Sequence, residues 1–156
     1  MNDDLTSLRL LLARAENERD AALAEKLRLE AARRAACAQH EQLVVYRREY
    51  EKRWSAEFCR EGKIELVRCY QGFIERLSQA VDYQEGVARH AAGQAESATA
   101  LVRSHELRAA ALKKVIERRL RLGHGQAARL EQKQSDEISA RAAWVRMAAA
   151  NVSGTL

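Results

Sequence analysis

Apolar residues recur at alternating spacings of three and four along most of this chain, on both sides of a single break. The break is CREGK, residues 59–63, in which Gly62 is the only strong helix breaker. A seven-residue repeat of this kind is typical of the narrow seam of a coiled coil, where two helices bury one line of side chains against each other. The sequence therefore predicts an all-α fold, a long two-helix antiparallel coiled-coil hairpin whose second helix overhangs the first.

The chain is expected to form one domain, with helices over about residues 4–58 and 64–149 and a disordered end at 150–156. Glycine can take the positive φ that ends a helix, so Gly62 is expected at the tip of the hairpin. A second glycine cluster, Gly123-His124-Gly125, falls where the first helix should run out and predicts a fraying point. The helix-forming tail beyond it is expected to be mobile, or ordered only when bound.

The apolar spacing assigns one stripe of each helix to the seam. On the first helix the stripe is Leu5, Leu8, Leu12, Ala15, Arg19, Ala22, Lys26, Leu29, Ala32, Ala36, Gln39, Leu43, Tyr46 and Tyr50. On the second it is Leu66, Tyr70, Phe73, Leu77, Ala80, Gln84, Val87, Ala91, Gln94, Ala98, Leu101, His105, Arg108, Leu112, Val115, Arg119 and Leu122. A polar residue in the seam, such as His105, is expected to set the register of the pair.

Composition agrees with long helices and argues against a compact globular core. Proline is absent and aromatic residues make up only 5% of the chain. The 27 basic and 22 acidic residues, a formal charge of +5, are interspersed as on a solvated coiled-coil surface. This basic excess favours an acidic partner surface without specifying nucleic acid.

No motif predicts catalysis, a cofactor or a metal site. The four histidines lack the spacing of metal ligands on a helix, no glycine-rich loop follows a strand, and the three cysteines include no C-x-x-C pair. Free cysteines favour a reducing compartment. The acidic start of the chain does not fit a secretory signal, and no apolar stretch approaches the length of a membrane span, so a soluble, cytoplasmic protein is expected.

Aromatic residues concentrate around the break. Tyr46, Tyr50, Trp54 and Phe58 repeat every four residues and should form a ridge on the first helix. A tip core could form from Tyr46, Tyr50, Tyr70, Phe73 and Leu77, which could bury one another. Alternatively, part of this cluster, with Ala80 and Gln84, is presented to a partner protein. The basic run Arg118, Arg119, Arg121 and Arg129 is read as a solvated face, with contact to an anionic surface as the alternative.

Three segments carry a resemblance to a known family. QLVVYRREYEKRW before the break, YQGFIERLSQAVDYQ after it and LEQKQSDEISARAA near the end resemble the FliJ family of flagellar export proteins, part of the type III secretion stalk superfamily. The resemblance implies a non-enzymatic, monomeric stalk that acts in the cytoplasm at the inner-membrane export apparatus. Its partners would be the hexameric export ATPase, the cytoplasmic domain of the membrane export gate and export chaperones, and not nucleic acid.

The resemblance also implies two sets of contact residues. The positions matching the family's gate contacts are Gln39, Leu43, Tyr46, Tyr50, Phe73, Leu77, Ala80 and Gln84. Those expected to contact the ATPase ring are Leu5, Leu8, Leu12, Arg118, Arg119, Lys133, Asp136 and Arg141. Two positions depart from the family pattern: Gln84, where histidine also occurs, and Ile138, where an aromatic residue is common.

Two other readings stay open at this point. The first is the equivalent stalk of a virulence injectisome, which genomic neighbours would separate from a flagellar one. The second is a generic structural or nucleic-acid-binding coiled coil, which would show a stable homodimer or a nucleic-acid affinity that falls steeply with salt.

Overall fold

The protein consists of two helices that pack against each other in opposite directions. The computed structural model describes residues 2–60 and 62–153, in which helix α1 spans Asn2–Arg60 and helix α2 spans Ile64–Ser153. Only Gly62 and Lys63 of these residues are not helical, and Glu61 lies outside the described residues. The predicted all-α antiparallel hairpin with an overhanging second helix is confirmed.

The ends of the helices carry charges that suit the helix dipole. Asp3 and Asp4 lie in the first turn of α1, Arg60 in its last turn and Glu65 in the first turn of α2. Acidic groups stabilise the positive N-terminal end of a helix and basic groups stabilise the negative C-terminal end. With no proline to remove a backbone donor, nothing in the sequence interrupts either helix before its end.

The helices form two compact units, each containing a part of both. The larger unit is Arg14–Ala109, and the smaller unit combines Met1–Ala13 with Ala110–Leu156. In the larger unit, Glu18 Oε2 lies 3.9 Å from His105 Nδ1 and 3.7 Å from Arg108 Nη1. These contacts pair polar groups across the two helices at the seam position expected to set the register.

Small side chains dominate the buried core. The buried residues are Ala15, Ala22, Ala36, Leu77, Val81, Ala95, Ala98, Val102, Ala109 and Ile116, and none of the described buried side chains is polar or charged. Alanine lets two helix backbones approach closely while it buries little apolar area per residue. Stability therefore depends on many small contacts repeated along the seam.

Of the two rows predicted for the seam of α2, the structure agrees with one and differs from the other. Leu77, Ala98 and their heptad equivalents lie in the seam, but Val87 and Leu101, with Val115 and Leu122, are exposed. The second seam row is instead Val81, Ala88, Ala95, Val102, Ala109 and Ile116, one residue further along. The sequence prediction failed because two adjacent rows are both apolar, and the row with smaller side chains is the one that faces α1.

One seam row of α1, which includes Ala36, Leu43 and Tyr50, follows the prediction throughout, whereas the other follows it only as far as Lys26. Ala32, Gln39 and Tyr46 are exposed, whereas His40 and Arg47 are half-buried. The seven-residue repeat of Arg19 and Lys26 in fact continues to His40 and Arg47, one residue further along than the predicted row of Ala32, Gln39 and Tyr46. Long basic side chains can pack their aliphatic stems along a seam while the charged group reaches water.

Three local expectations about helix ends also differ from the structure. No described glycine has a positive φ, so the conformation expected at Gly62 is absent, since α1 already ends at Arg60. Helix α2 is continuous through Gly123 and Gly125, where fraying was expected. It also continues through residues 150–153, expected to be disordered, because alanines extend it and no breaker precedes Gly154; residues 154–156 lie outside the described residues.

The last 27 residues of α2, 127–153, are exposed along their whole length, and we call them the terminal segment. They include six large apolar side chains: Leu130, Ile138, Trp144, Val145, Met147 and Val152. Large exposed apolar groups gathered on one element mark interaction sites more often than isolated ones do. None of the helices in residues 2–60 and 62–153 is long and apolar enough to cross a membrane.

Replacing Gly93 with alanine should stabilise the protein. Gly93 lies inside α2, and a Cβ added there would meet nothing within 4 Å. Alanine favours a helix interior over glycine by up to about 1 kcal/mol, so the melting temperature measured by circular dichroism should rise. Gly62→Ala, outside both helices, is the control and should give no comparable gain; a lower melting temperature for Gly93→Ala would show that the site is not open.

Candidate functional site

Six aromatic side chains pack together beside the reversal of the chain. Tyr50 lies at the centre of the cluster, with its ring centroid 6.3 Å from Tyr46, 5.8 Å from Trp54, 6.0 Å from Tyr70 and 4.3 Å from Phe73. The rows of aromatic residues on α1 and α2 thus interlock across the seam, which accounts for the predicted ridge. Aromatic pairs at these distances contribute beyond the area that they bury.

The outer part of the cluster includes Phe58, whose ring meets that of Tyr70 edge-on at 5.1 Å. Burial among these rings raises the pKa of the Tyr70 hydroxyl, and the nearby Glu51 carboxylate and Tyr50 add to the effect. The Tyr70 hydroxyl therefore stays neutral up to a higher pH than that of a solvent-exposed tyrosine. The cluster therefore acts as an apolar anchor that fixes how the two helices emerge from the reversal.

The eight residues implied as gate contacts lie on one side of the helix pair, and we call this set the tip surface. On each helix they fall in two neighbouring rows of residues spaced seven apart. One row lies in the seam, and the other flanks it on the side of the helix pair that all eight residues share. The seam members are Leu43, Tyr50, Leu77 and Gln84, and the flanking members are Gln39, Tyr46, Phe73 and Ala80. Their spacing of three and four residues on both helices makes the set one continuous surface in the larger unit.

A polar contact joins the two helices at one edge of the tip surface. Gln84 Nε2 donates hydrogen bonds to Gln39 Oε1 at 3.1 Å and to the backbone carbonyl of Ala36 at 3.4 Å. Gln39 and Gln84, together with Gln42, Leu43 and Tyr46, line a shallow depression. Gln84 therefore has a structural role, because it links the two helices.

Tyr46 is the most accessible aromatic residue of the tip surface, with 48% of its surface exposed. It stands between two depressions, because it also lines the one formed with Ala38, Gln42, Val45 and Glu49. By contrast, Leu77 is 8% exposed and belongs to the core. Sequence patterns did not indicate Gln42 and Val45, since neither belongs to the seam repeat. The depression that Gln84 helps to line has walls from both helices, whereas the other is lined by α1 alone.

The residues expected at the ATPase ring fall in the smaller unit and are not gathered into one site. Leu5, Leu8 and Leu12 are half-buried in the seam, so they support packing as well as offering surface. Arg118 and Arg119 are exposed, and Arg119 Nη1 lies 3.2 Å from Asp4 Oδ2. Lys133, Asp136 and Arg141 lie on the terminal segment, where Gln132 Nε2 donates to Asp136 Oδ1 at 3.1 Å.

Metal ligands and cysteines are further groups to consider among the described residues. No group of three or more histidine, cysteine, aspartate or glutamate side chains within 2–60 and 62–153 is placed to hold a metal ion. Cys37, Cys59 and Cys69 are free and exposed. What the structure does offer is surface: an aromatic side of the helix pair in the larger unit, and an exposed helix in the smaller one.

Comparison with known proteins identifies the family. The model of the flagellar FliJ protein family matches residues 4–148, which is nearly the whole chain. Curated proteins and solved structures gave no significant match. Members of this family are components of flagellar protein export, and the match includes both helices and the reversal between them. The chain therefore belongs to the flagellar FliJ protein family.

Proposed function

We propose that the protein is the central stalk and chaperone-escort component of the flagellar type III export apparatus, and that it has no enzymatic activity of its own. The tip surface binds the cytoplasmic domain of the export gate, while both terminal regions bind inside the hexameric export ATPase. The observation that carries this proposal is the arrangement of the tip surface, whose eight residues, taken from two helices, lie on one side of the larger unit.

The physical character of that surface supports a protein partner. It combines an exposed aromatic ring, Tyr46, with shallow depressions on either side and amide groups from Gln39 and Gln84. Tyrosine is enriched among residues that dominate binding energy, because one end of its side chain is apolar and the other forms hydrogen bonds. The surface has no deep cleft of the kind that a small substrate needs.

The smaller unit supports contact with a ring. Two helices side by side are narrow enough for a central pore, since each is about 10 Å across. The terminal segment is exposed on all sides and carries both signs of charge, including Lys133, Asp136 and Arg141. A helix that is apolar and charged around its circumference can contact several surrounding subunits at once.

In this proposal the protein acts as a monomer in the cytoplasm, at the periphery of the inner-membrane export apparatus. It delivers export chaperones there and links ATP hydrolysis to the gate. The formal charge of +5 disfavours association of two copies and favours partners with acidic surfaces. Nucleic acid is not proposed as a partner, because basic and acidic residues are interspersed along both helices and the aromatic side chains near the reversal pack against one another.

The proposal predicts that the purified protein raises the ATPase activity of its cognate export ATPase hexamer. Activity would be measured by phosphate release at increasing ratios of this protein to hexamer, with binding followed in parallel by sedimentation. We expect saturable stimulation near one copy per ring. No stimulation together with no binding would overturn the proposed role at the ring.

A pair of charge-reversed variants locates the contact. Lys133→Glu combined with Arg141→Glu changes two exposed residues of the terminal segment and should abolish most of the stimulation. Arg34→Glu combined with Arg48→Glu makes the same change in charge on exposed residues of the larger unit and should leave stimulation near the wild-type level. Equal losses in both variants would point to a general effect of charge instead of a contact in the terminal segment.

A further inference from the structure

A row of residues on α2 repeats every seven positions and flanks the seam on the side of the tip surface. It consists of Phe73, Ala80, Val87, Gln94 and Leu101, and we call it the outer row. With the two seam rows it widens the low-charge face of α2 to three of every seven positions. Two positions are enough for a two-helix coiled coil, whereas three are typical of a helix that packs against more than one neighbour.

A groove runs beside the outer row in the larger unit. Its walls and floor include Leu29, Gly86, Gly93, Gln94, Ala98 and Leu101. The two glycines are seven residues apart, and a Cβ added at either would meet nothing within 4 Å. With no side chain at these two positions, the backbone of another helix can approach α2 closely, and its apolar side chains can reach Leu29 and Leu101.

The charges around the groove are satisfied within the protein. Arg28 donates two hydrogen bonds to Glu25, at 2.6 and 2.9 Å, and Arg89 donates to Glu85 at 3.1 Å. The hydrogen bonds between Arg28 and Glu25 act on both partners. They lower the pKa of the Glu25 carboxyl and raise the pKa of the Arg28 guanidinium, which favours the ionised form of each. The groove therefore does not require a charge from whatever occupies it.

The surface just outside the outer row is also free of formal charge. The row beyond it on the same side of α2 is Tyr83, His90, Ser97 and Ser104, all of them exposed or partly exposed. From Ala80 to Ser104 neither row contains a carboxylate, an ammonium or a guanidinium group, although 31% of the chain is charged. An occupant must therefore present an uncharged, largely aliphatic face, and the excess of basic residues elsewhere favours acidic residues on its outer side.

We propose that this groove binds an amphipathic α-helix of the export gate's cytoplasmic domain, as a continuation of the tip surface. The outer row starts with Phe73 and Ala80, which belong to the tip surface, so both regions lie on one side of the larger unit. The seven-residue spacing matches a helical occupant, which would extend about 42 Å along α2 from Phe73 to Leu101 at 1.5 Å per residue. This inference rests on the proposed contact between the tip surface and the gate.

Two exposed aliphatic residues on opposite edges of the α2 seam provide a matched test. Leu101 is 52% exposed and lines the groove. Ile64 is 73% exposed and belongs to the row 64, 71, 78 and 85, which flanks the seam on the other edge. The probe is the purified cytoplasmic domain of the cognate gate, titrated by calorimetry into the full-length chain. Leu101→Arg should weaken binding at least tenfold, and Ile64→Arg should stay within twofold of wild type; circular dichroism melting checks that both remain folded.

Gly93→Ala gives a second readout that does not depend on a large substitution. It should raise the melting temperature of the free protein, yet weaken gate binding at least fivefold, because the added methyl group lies where the partner backbone approaches. An unchanged affinity in both Leu101→Arg and Gly93→Ala would overturn the groove as a binding site. If Tyr46→Ala still weakens binding in that case, the proposed function stands and only the extension is wrong.

The remaining outcomes decide the identity of the occupant. If Leu101→Arg leaves gate affinity unchanged but weakens binding of the ATPase hexamer or of a cognate chaperone, the gate helix is the wrong occupant. A wild-type chain that sediments as a dimer, and becomes monomeric with Leu101→Arg, would assign the groove to a second copy. Absence of any gate binding by the wild-type protein would overturn both the inference and the proposed gate contact on which it rests.

Discussion

Val102→Asp should unfold most of the larger unit. Val102 is 3% exposed and belongs to the seam row of α2 that sequence analysis did not select. Aspartate at this position would bury a carboxylate beside apolar side chains, and leaving a buried charge unpaired typically costs about 3–5 kcal/mol. Because the core consists mainly of alanines, that cost is a large part of the stability available. A large fall in helicity and in melting temperature by circular dichroism would be the sign of this effect.

Leu101→Asp is the matched control, one residue earlier on the same helix. Leu101 is exposed, so aspartate there stays in water, and substitutions at such positions usually change stability by no more than about 0.5 kcal/mol. Both variants replace an aliphatic side chain with aspartate, and the two original side chains differ by one methylene group. The variants differ in whether the new charge lies in the seam row, at residue 102, or in the exposed row, at residue 101. Equal destabilisation, or a greater effect at Leu101, would contradict the seam register found in the structure.

Tyr46→Ala should remove most of the affinity for the gate's cytoplasmic domain. The Tyr46 side chain lies between two depressions and touches the aromatic cluster only at its edge, with its ring centroid 6.3 Å from that of Tyr50. Truncating a central aromatic residue in an interface commonly costs 2 kcal/mol or more, which is about a thirtyfold loss of affinity. The melting temperature should change little, because Tyr46 is not part of the buried core.

Trp144→Ala is the control for that experiment. Trp144 is also a large exposed aromatic residue, but it lies on the terminal segment in the smaller unit. Its replacement should leave gate affinity unchanged. Similar losses from both substitutions would show that gate binding responds to exposed aromatic groups in general and is not specific to the tip surface.

The sequence was sufficient to predict two helices and the position of the reversal between them. A repeat of seven with a single glycine-containing break has few alternatives in a chain without proline, and the aromatic ridge follows from spacing of four along one helix. The structure agrees on each of these points. They depend on periodicity, which is a property of the sequence itself.

The exact seam was harder to predict, because it depends on how closely the helices approach. Leu101 looked like a better core residue than Ala95 or Ala109 when each helix was considered alone. Once two helices are paired, alanine is preferred where the backbones are close, and bulkier side chains move to the flanking row. Arg47 was missed because the predicted row moved back by one residue after Lys26, to Ala32, Gln39 and Tyr46, although the half-buried residues there are His40 and Arg47.

The concentration of aromatic residues around the break indicated part of the candidate site, but its full set of residues could be predicted only through resemblance to the family. Periodicity alone gives no reason to choose Gln39, Tyr46 or Ala80 over other flanking residues. The structure adds that these residues share one side of the helix pair with Leu43 and Phe73, a relation across two helices that sequence spacing within one helix cannot reveal. The groove beyond them was hidden by the same register error, since its outer row had been assigned to the core.

The complete exposure of residues 127–153 has a consequence for genetics. Substitutions there that preserve helix propensity remove no packing, so they leave the amount of folded protein in the cell unchanged. A motility defect caused by such a substitution would report a lost contact with another molecule, and compensating mutations should arise in the gene of that molecule. Random mutagenesis confined to this stretch would therefore map a partner directly, whereas the same screen on the alanine seam would mostly recover proteins that are degraded.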